Sequence, residues 1–402
     1  MRVLVTHPGR QHSHQAALAL EAAGLLAGYW SGVPSSAEHG RFVPRSLWRR
    51  WIRYAAVALP PDQTRWTPTA PLLRQIAHRL PRGLAAEIDF AACRIFDRWV
   101  ARRLARMPES ERPAAVLACE ISARTTFAVA RRLGIRTWLD APSIHRQVQD
   151  RLHGTTDAPG LHARIAAIKD REIELADAIV TVSELARTTY VEAGIDPACV
   201  HAVSLGADLD LFAPPPEEPA RGSGTLFLFA GAPIVRKGFD LLLEAFARVV
   251  EAEPTATLRI VGPRGGEAAR DAITFVGPID QAELAAEMSR ADCLVLPSRN
   301  DSYGMVVAEA LAAGLPVVVS NMVGAAELVT PGENGWVVPA GDVEALSARL
   351  LALAQSPDGP ALLRAMRPHC RASVQGATWA AYRDRFATLA RELLAIPGKG
   401  AA

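Results

Sequence analysis

Twice along this chain, short and mainly apolar runs alternate with helix-like stretches, and a break rich in Pro and Gly separates the two series. The first series has its runs at residues 3–5, 115–118, 137–139 and 178–182. The second has them at 226–230, 257–261, 273–276, 293–296 and 316–320. A short strand rich in Val, Ile and Leu without polar alternation is buried on both faces, which suits a parallel sheet covered by helices on each side. Residues 16–23, 241–250 and 379–394 read as helices, and Ser183 reads as the N-cap of a further one that Glu184 opens. Between the series, residues 213–224 read APPPEEPARGSG, with no apolar period, as in a linker. At 402 residues the chain is too long for one ordinary core. The expectation is therefore α/β, with two Rossmann-like domains over 1–212 and 225–370 and a linker at 213–224. In open sheets of this kind ligands bind at the carboxyl ends of the strands, so the loops of both domains are expected to face a central cleft.

Composition narrows the function classes. A net charge of +2 gives no general case for a nucleic-acid partner. The five cysteines are scattered, without a Cys-x-x-Cys pair, which argues against a zinc ribbon or a disulfide framework and fits a reducing cytoplasm. The opening MRVLVTHPGR is unlike a secretory signal, and no run approaches the ~18 apolar residues that span a bilayer. The positive charge is unevenly placed: residues 41–106 hold fourteen Arg against four acidic residues. Within them, residues 45–55 wind into a helix with Leu47, Trp48, Trp51 and Ile52 on one face and Arg45, Arg49, Arg50 and Arg53 on the other. Two readings stand side by side: a Trp face packed on its own domain, or a cationic helix lying on an anionic membrane at the cytoplasmic side.

The motifs with chemistry lie in the second half. Gly231-Ala-Pro-Ile-Val-Arg236-Lys237-Gly238-Phe239-Asp240 joins a strand to a helix. Two adjacent cations in a loop that opens a helix make an anion site, since charge and helix dipole both favour a phosphate there. After the run at 293–296 comes Pro297-Ser-Arg-Asn-Asp301-Ser-Tyr-Gly304-Met305-Val306-Val-Ala-Glu309, with seven residues between its two carboxylates. Asp301 and Glu309 are placed to hold hydroxyls at two ends of one ligand. Gly304 allows close backbone approach, and the N–H groups of Gly304, Met305 and Val306 point at an anion. Gly314-Leu-Pro316 then stops the helix before a β-branched strand.

These motifs resemble, in order, those of glycosyltransferase family four, retaining enzymes of GT-B fold. The family signature is an acidic residue, seven residues, Glu, a helix, Gly-x-Pro and a Val-rich strand. The likeness runs through Gly206-Ala-Asp208, Arg236-Lys237-Gly238, Gly324-Ala-Ala-Glu327 and Asn334-Gly-Trp336, covering most of residues 165–350. It implies a nucleotide-diphosphate sugar as donor, bound by the second domain. Glu309 would hold the donor ribose, Asp301 the transferred sugar, and Arg236 and Lys237 the diphosphate, with no divalent metal and no cofactor. It also implies that the terminal helix, within 375–396, packs back on the first domain.

Two positions depart from the family. Asp301 stands where Glu is usual, and Ala232 where many members have Arg. By the same resemblance the first domain takes the acceptor: a glycan, a glycolipid or a small molecule. Gly9, in the loop after the first strand, would lie close to the donor phosphates. His145, in Asp140-Ala-Pro-Ser-Ile-His145, would sit beside the reacting sugar or be a plain structural histidine. His12 and His14 have metal-ligand spacing but are read as loop or acceptor contacts, and Asp208-Leu-Asp210 as structural. The implied activity is hexosyl transfer in glycan or cell-envelope synthesis. A sugar-nucleotide epimerase of the same architecture and a silent nucleotide-sugar-binding scaffold are the rival readings.

Overall fold

In the computed structural model, the residues described are 1–33, 59–77, 80–153, 159–214, 224–263, 272–356 and 359–396. The amphipathic stretch at 45–55 lies outside them, as does most of the linker. The chain divides into two compact units. One comprises Met1–Thr181, Thr189–Val203 and Tyr382–Ala402; the other comprises Val182–Thr188 and Ser204–Ala381.

The first unit is built on a seven-stranded, all-parallel sheet of order β3-β2-β1-β4-β5-β6-β7. Its strands are β1 (Val3–His7), β2 (Leu26–Ser31), β3 (Thr64–Trp66), β4 (Ala115–Cys119), β5 (Arg136–Ala141), β6 (Ala178–Thr181) and β7 (Val200–Ala202). The second unit carries a six-stranded parallel sheet of order β10-β9-β8-β11-β12-β13. These are β8 (Leu226–Ala230), β9 (Thr257–Val261), β10 (Ile273–Gly277), β11 (Cys293–Leu296), β12 (Val317–Ser320) and β13 (Gly335–Val338). Every residue of β1, β4, β6, β11 and β12 is buried, as their mainly apolar sequences require, and the Thr, His and Ser at the ends of β1, β6 and β12 are buried with them. In each sheet the chain order reverses once, between β1 and β4 and between β8 and β11, and such switch points open a crevice beyond the strand ends.

The apolar runs locate the central strands well. Four edge or near-edge strands, β2, β3, β7 and β13, escape such a reading. In β2 (LAGYWS) and β7 (VHA) the apolar residues are diluted with Gly, Ser and His, and β3 (TRW) is only three residues long. The terminal helix Trp379–Ala395 buries Tyr382 and Phe386 and leaves Trp379 half-buried. Tyr382 stands edge-on to His12 with ring centroids 6.4 Å apart, and Arg383 Nη1 donates to Gln15 Oε1 at 2.8 Å.

The helix Arg124–Arg132, after β4, shows how the first unit spends buried charge. Its leading N–H groups are met by two fully buried carboxylates from elsewhere in the unit. Asp97 accepts from Thr125 N and Thr126 N at 2.8 Å, and Glu172 accepts from Ala123 N at 2.7 Å and Arg124 N at 3.0 Å. Arg94 Nη2 lies 2.7 Å from Asp97. Removing one partner of such a set strands a buried guanidinium and two amides. Asp97→Ala should therefore lower unfolding stability by about 3–5 kcal/mol, read from chemical denaturation. A loss under about 1 kcal/mol would show that the carboxylate is replaceable by water.

Candidate active site

The crevice of the second unit is lined by the loops that follow β8 and β11. After β8 the chain passes through Gly231 into a 3-10 turn, Val235–Lys237, and then into the helix Phe239–Ala252. Gly238 joins the two with φ +67°, a left-handed conformation that favours glycine, and a Cβ there would lie 1.9 Å from Pro297 O. The β8 loop is thus pressed onto the start of the β11 loop. Arg299 fastens them: its backbone N–H donates to Arg236 O at 2.9 Å, Nη1 donates to Val235 O at 2.8 Å, and the guanidinium grips Asp240 with two contacts of 2.7 Å. That grip holds the Asp240 carboxyl below its usual pKa.

Against this clamp the expected residues converge. Lys237 Nζ pairs with Asp301 Oδ2, and Arg236, largely exposed, donates from Nη1 to Asn300 O at 3.2 Å. Asp301 is itself fixed through its backbone, donating to Met322 O at 2.8 Å and accepting from Gly324 N at 2.9 Å. Gly304 takes φ +84° at the N-cap of the helix Met305–Ala312, where a Cβ would meet Val323 Cγ1 at 2.6 Å. The first N–H groups of a helix lack intrahelical partners, so Met305 and Val306 open an anion-favouring end toward the same loop.

Glu309 stands in that helix and is 8% exposed. No side-chain partner contacts its carboxyl among the described residues, and burial pushes its pKa up to about 7. The structure thus brings Arg236, Lys237, Asp301, Gly304, Met305, Val306 and Glu309 onto two adjacent loops and one helix. It also adds what the sequence reading did not foresee: the Lys237 charge is matched by Asp301 rather than left bare. Asp208, set aside as structural, accepts from the backbone N–H groups of Asp210 and Leu211 at 3.2 and 3.1 Å, closing a turn. Ser183 accepts from Ala186 N at 3.0 Å as a helix cap and also donates to Ser302 O at 2.5 Å.

In the first unit, Gly9 and His145 occupy the loops after β1 and β5. The N–H of Gly9 is committed to His7 Nδ1 at 2.8 Å, so it is not turned outward to an anion. His145 is 4% exposed, its ring stands edge-on to Tyr190 at 5.0 Å, and its backbone N donates to Thr189 Oγ1 at 2.9 Å. Burial, with Arg146 nearby, lowers its pKa and favours the neutral imidazole.

The strongest pairing in this unit was missed from sequence. His12 Nε2 lies 2.9 Å from Asp140 Oδ1, and both side chains are buried at the carboxyl ends of β1 and β5. Burial alone favours neutrality in both groups. Their mutual charge and hydrogen bond outweigh it, raising the histidine pKa and lowering that of the aspartate. His7, beside them, is forced the other way: burial lowers its pKa to about 4. His12 and Asp140 lie 128 positions apart, a separation at which no local pattern could have linked them.

Comparison with known proteins places this geometry. Residues 224–356 match the family model described as Glycosyl transferases group 1. D-inositol 3-phosphate glycosyltransferase 2 of Catenulispora acidiphila is 32% identical over 212 residues, covering 46% of this chain and 49% of that protein. Phosphatidyl-myo-inositol mannosyltransferase of Mycobacterium leprae is 36% identical over 186 residues, covering 43% and 49%. The chain spans about half the length of these curated relatives. Among solved structures, sucrose-phosphate synthase from Thermosynechococcus elongatus superposes with a TM-score of 0.71 at 21% identity, covering 98% of this chain and 100% of that one. Anabaena HepE in complex with UDP gives 0.65 at 15% identity, covering 98% and 100%. At these identities the likeness speaks for the fold, which is α/β of the two-domain GT-B class.

Proposed function

We propose, on the match of residues 224–356 to the model of the group 1 glycosyl transferases, that the protein transfers a sugar from a nucleotide-diphosphate donor to an acceptor hydroxyl, with retention at the anomeric carbon. The observation that supports this most is Glu309. A buried carboxyl without a side-chain partner is costly to keep unless a ligand completes it, and its place in the helix that follows the Asp301 loop suits ribose hydroxyls beside a diphosphate.

In this reading Arg236, Lys237 and the N–H groups at Met305 and Val306 take the diphosphate. They stabilise the negative charge that develops as the bond from the anomeric carbon to phosphate oxygen breaks. Lys237 would then lie between the phosphate and Asp301, so that Asp301 keeps the ammonium aimed while its second oxygen takes a sugar hydroxyl. The two cations would do the work of a divalent metal. His145, held neutral, would accept or donate one hydrogen bond to the sugar or acceptor. HepE was crystallised with UDP and with UDP-glucose, which favours uridine donors for the first trials. The names of the relatives suggest an inositol phosphate or phosphatidylinositol among the acceptors to try, with contact at an anionic membrane surface for the latter.

The test is a thermal-shift panel of nucleoside diphosphates and their sugars, with EDTA and with magnesium. A diphosphate at a hundred times its dissociation constant should add about 2.7 kcal/mol, equally in both conditions. Release of the nucleoside diphosphate on adding acceptor would separate an enzyme from a silent binder. A folded protein that shifts with none of the nucleotides would remove the donor-site assignment.

A further inference from the structure

The Arg-rich segment of the sequence finds no role in the crevices above, and its described part converges elsewhere. Arg102 and Arg103 stand in the last turn of the helix Arg82–Ala105, with Arg106 as its C-cap, and Arg65 comes across from the edge strand β3. Together they line a cavity of about 430 Å³ in which Glu111 is the one acidic side chain among the described residues. A smaller cavity of about 200 Å³ adjoins it through the shared Trp30, Arg65, Met107 and Glu111, and is lined in addition by Asp62 and by Arg2, which precedes β1. Arg2 and Pro113 lead into β1 and β4, so the smaller cavity reaches the amino ends of those strands, whereas Trp30 and Arg65 face each other in the register of β2 and β3.

Cations in the last turn of a helix have an ordinary explanation, since they complement its carbonyl end. That accounts for Arg102 and Arg103. It does not account for Arg65 on a different element, nor for gathering four guanidinium groups around one cavity. Among the described residues no carboxylate pairs with Arg65, Arg102, Arg103 or Arg106, whereas Arg74, Arg94, Arg146 and Arg164 of the same unit all have acidic partners.

The floor of the cavity is aromatic. Trp30 is 4% exposed and meets Trp99 edge-on at 5.9 Å, Trp99 packs on buried Phe96 at 5.7 Å, and the Arg103 guanidinium lies 4.9 Å over the Trp99 ring. An apolar wall beside unpaired cations raises the local positive potential and holds the donors in place before any ligand arrives. Planar guanidinium forks match phosphate oxygens in pairs.

We propose that this cavity, formed by Arg65, Arg102, Arg103 and Arg106 over Trp30 and Trp99, binds a phosphate or diphosphate group at a site separate from the donor crevice. The group belongs either to a lipid headgroup or to a free phosphorylated compound, and the same cations would read both. This inference does not rest on the sugar-transfer reading.

The experiment is calorimetric titration of the full chain with inorganic pyrophosphate, using two pairs of substitutions. Arg236→Gln/Lys237→Gln removes the cations of the donor crevice; Arg102→Gln/Arg106→Gln removes exposed cations of the cavity. Arg65→Gln serves as a second cavity variant on a different element, and circular dichroism verifies that each variant is folded. The expected result is a binding event that survives Arg236→Gln/Lys237→Gln and weakens about ten-fold or more with Arg102→Gln/Arg106→Gln. Sedimentation with vesicles of phosphatidylglycerol and phosphatidylcholine identifies the source. Sedimentation that depends on Arg102 and Arg106 assigns the site to a lipid headgroup, and pyrophosphate binding without it assigns the site to a free phosphate. The proposal is overturned if Arg236→Gln/Lys237→Gln alone abolishes pyrophosphate binding, or if neither cavity variant changes it.

Discussion

Glu309→Gln should make the protein more stable at pH 8 while impairing it as a nucleotide binder. In the folded chain the Glu309 carboxyl keeps its proton up to a pH of about 7; unfolded, it would release it near 4.5. The native state therefore binds more protons between those values, and its stability falls as pH rises through that window. Above it, wild type holds a buried negative charge at a cost of roughly 3 kcal/mol, which glutamine, of the same shape and unable to ionise, does not incur. Urea unfolding should find the two proteins alike near pH 4 and the variant ahead by roughly 2–3 kcal/mol at pH 8. Titration with UDP should show the reverse preference, with affinity down about ten- to a hundred-fold, because a charged acceptor of ribose hydroxyls has become a neutral one. Equal stability at pH 8 would mean that water or a nearby cation already relieves the charge. Unchanged UDP affinity would move the ribose elsewhere.

Gly238→Ala should be the most damaging small substitution in the second unit. Its Cβ would sit 1.9 Å from Pro297 O and 2.7 Å from Pro297 C, and the residue is held at φ +67°. Backbone atoms do not yield as a side-chain tip does, so the β8 loop has to lift from the β11 loop. With it go the Arg299 contacts to Val235 and Asp240 and the alignment of Lys237 with Asp301. A loss of about 4 kcal/mol is expected, a size reached by few single substitutions. It should appear as a melting transition lowered by about 10 °C, with UDP no longer raising it. Gly83→Ala, where a Cβ meets nothing within 4 Å, is the matched control and should leave the transition within a degree or two.

The sequence was most legible where chemistry and fold share one short segment. Residues 226–230 and 293–296 are strands over those same bounds, because a strand buried on both faces leaves an unbroken apolar run. The donor-side residues could be read for a related reason: Arg236 with Lys237, and Asp301 through Glu309, each sit on a single strand-loop-helix passage whose turn glycines mark its corners. What escaped was everything assembled across distance. His12 with Asp140, Arg94 with Asp97 and Glu172, and the four arginines around Trp30 and Trp99 are juxtapositions of separate elements. Their members look individually like ordinary surface residues. The clamp of Arg299 on Asp240 falls between: both residues lie inside recognisable motifs, 59 positions apart, but nothing in either motif says that they meet.

The seating of the last helix on the first helix has a consequence for how the chain is made. Arg383 meets Gln15 across 368 positions. At ribosomal speeds of about 5–20 residues per second, the first unit must wait roughly 20–70 s for the helix that covers its His12 face. The second unit, contiguous from Ser204 to Ala381 apart from one short segment made earlier, has no such wait. The half that starts first is therefore finished last. During that interval the apolar surface meant for Tyr382 and Phe386 is exposed to any chaperone, or any neighbouring nascent chain, within reach.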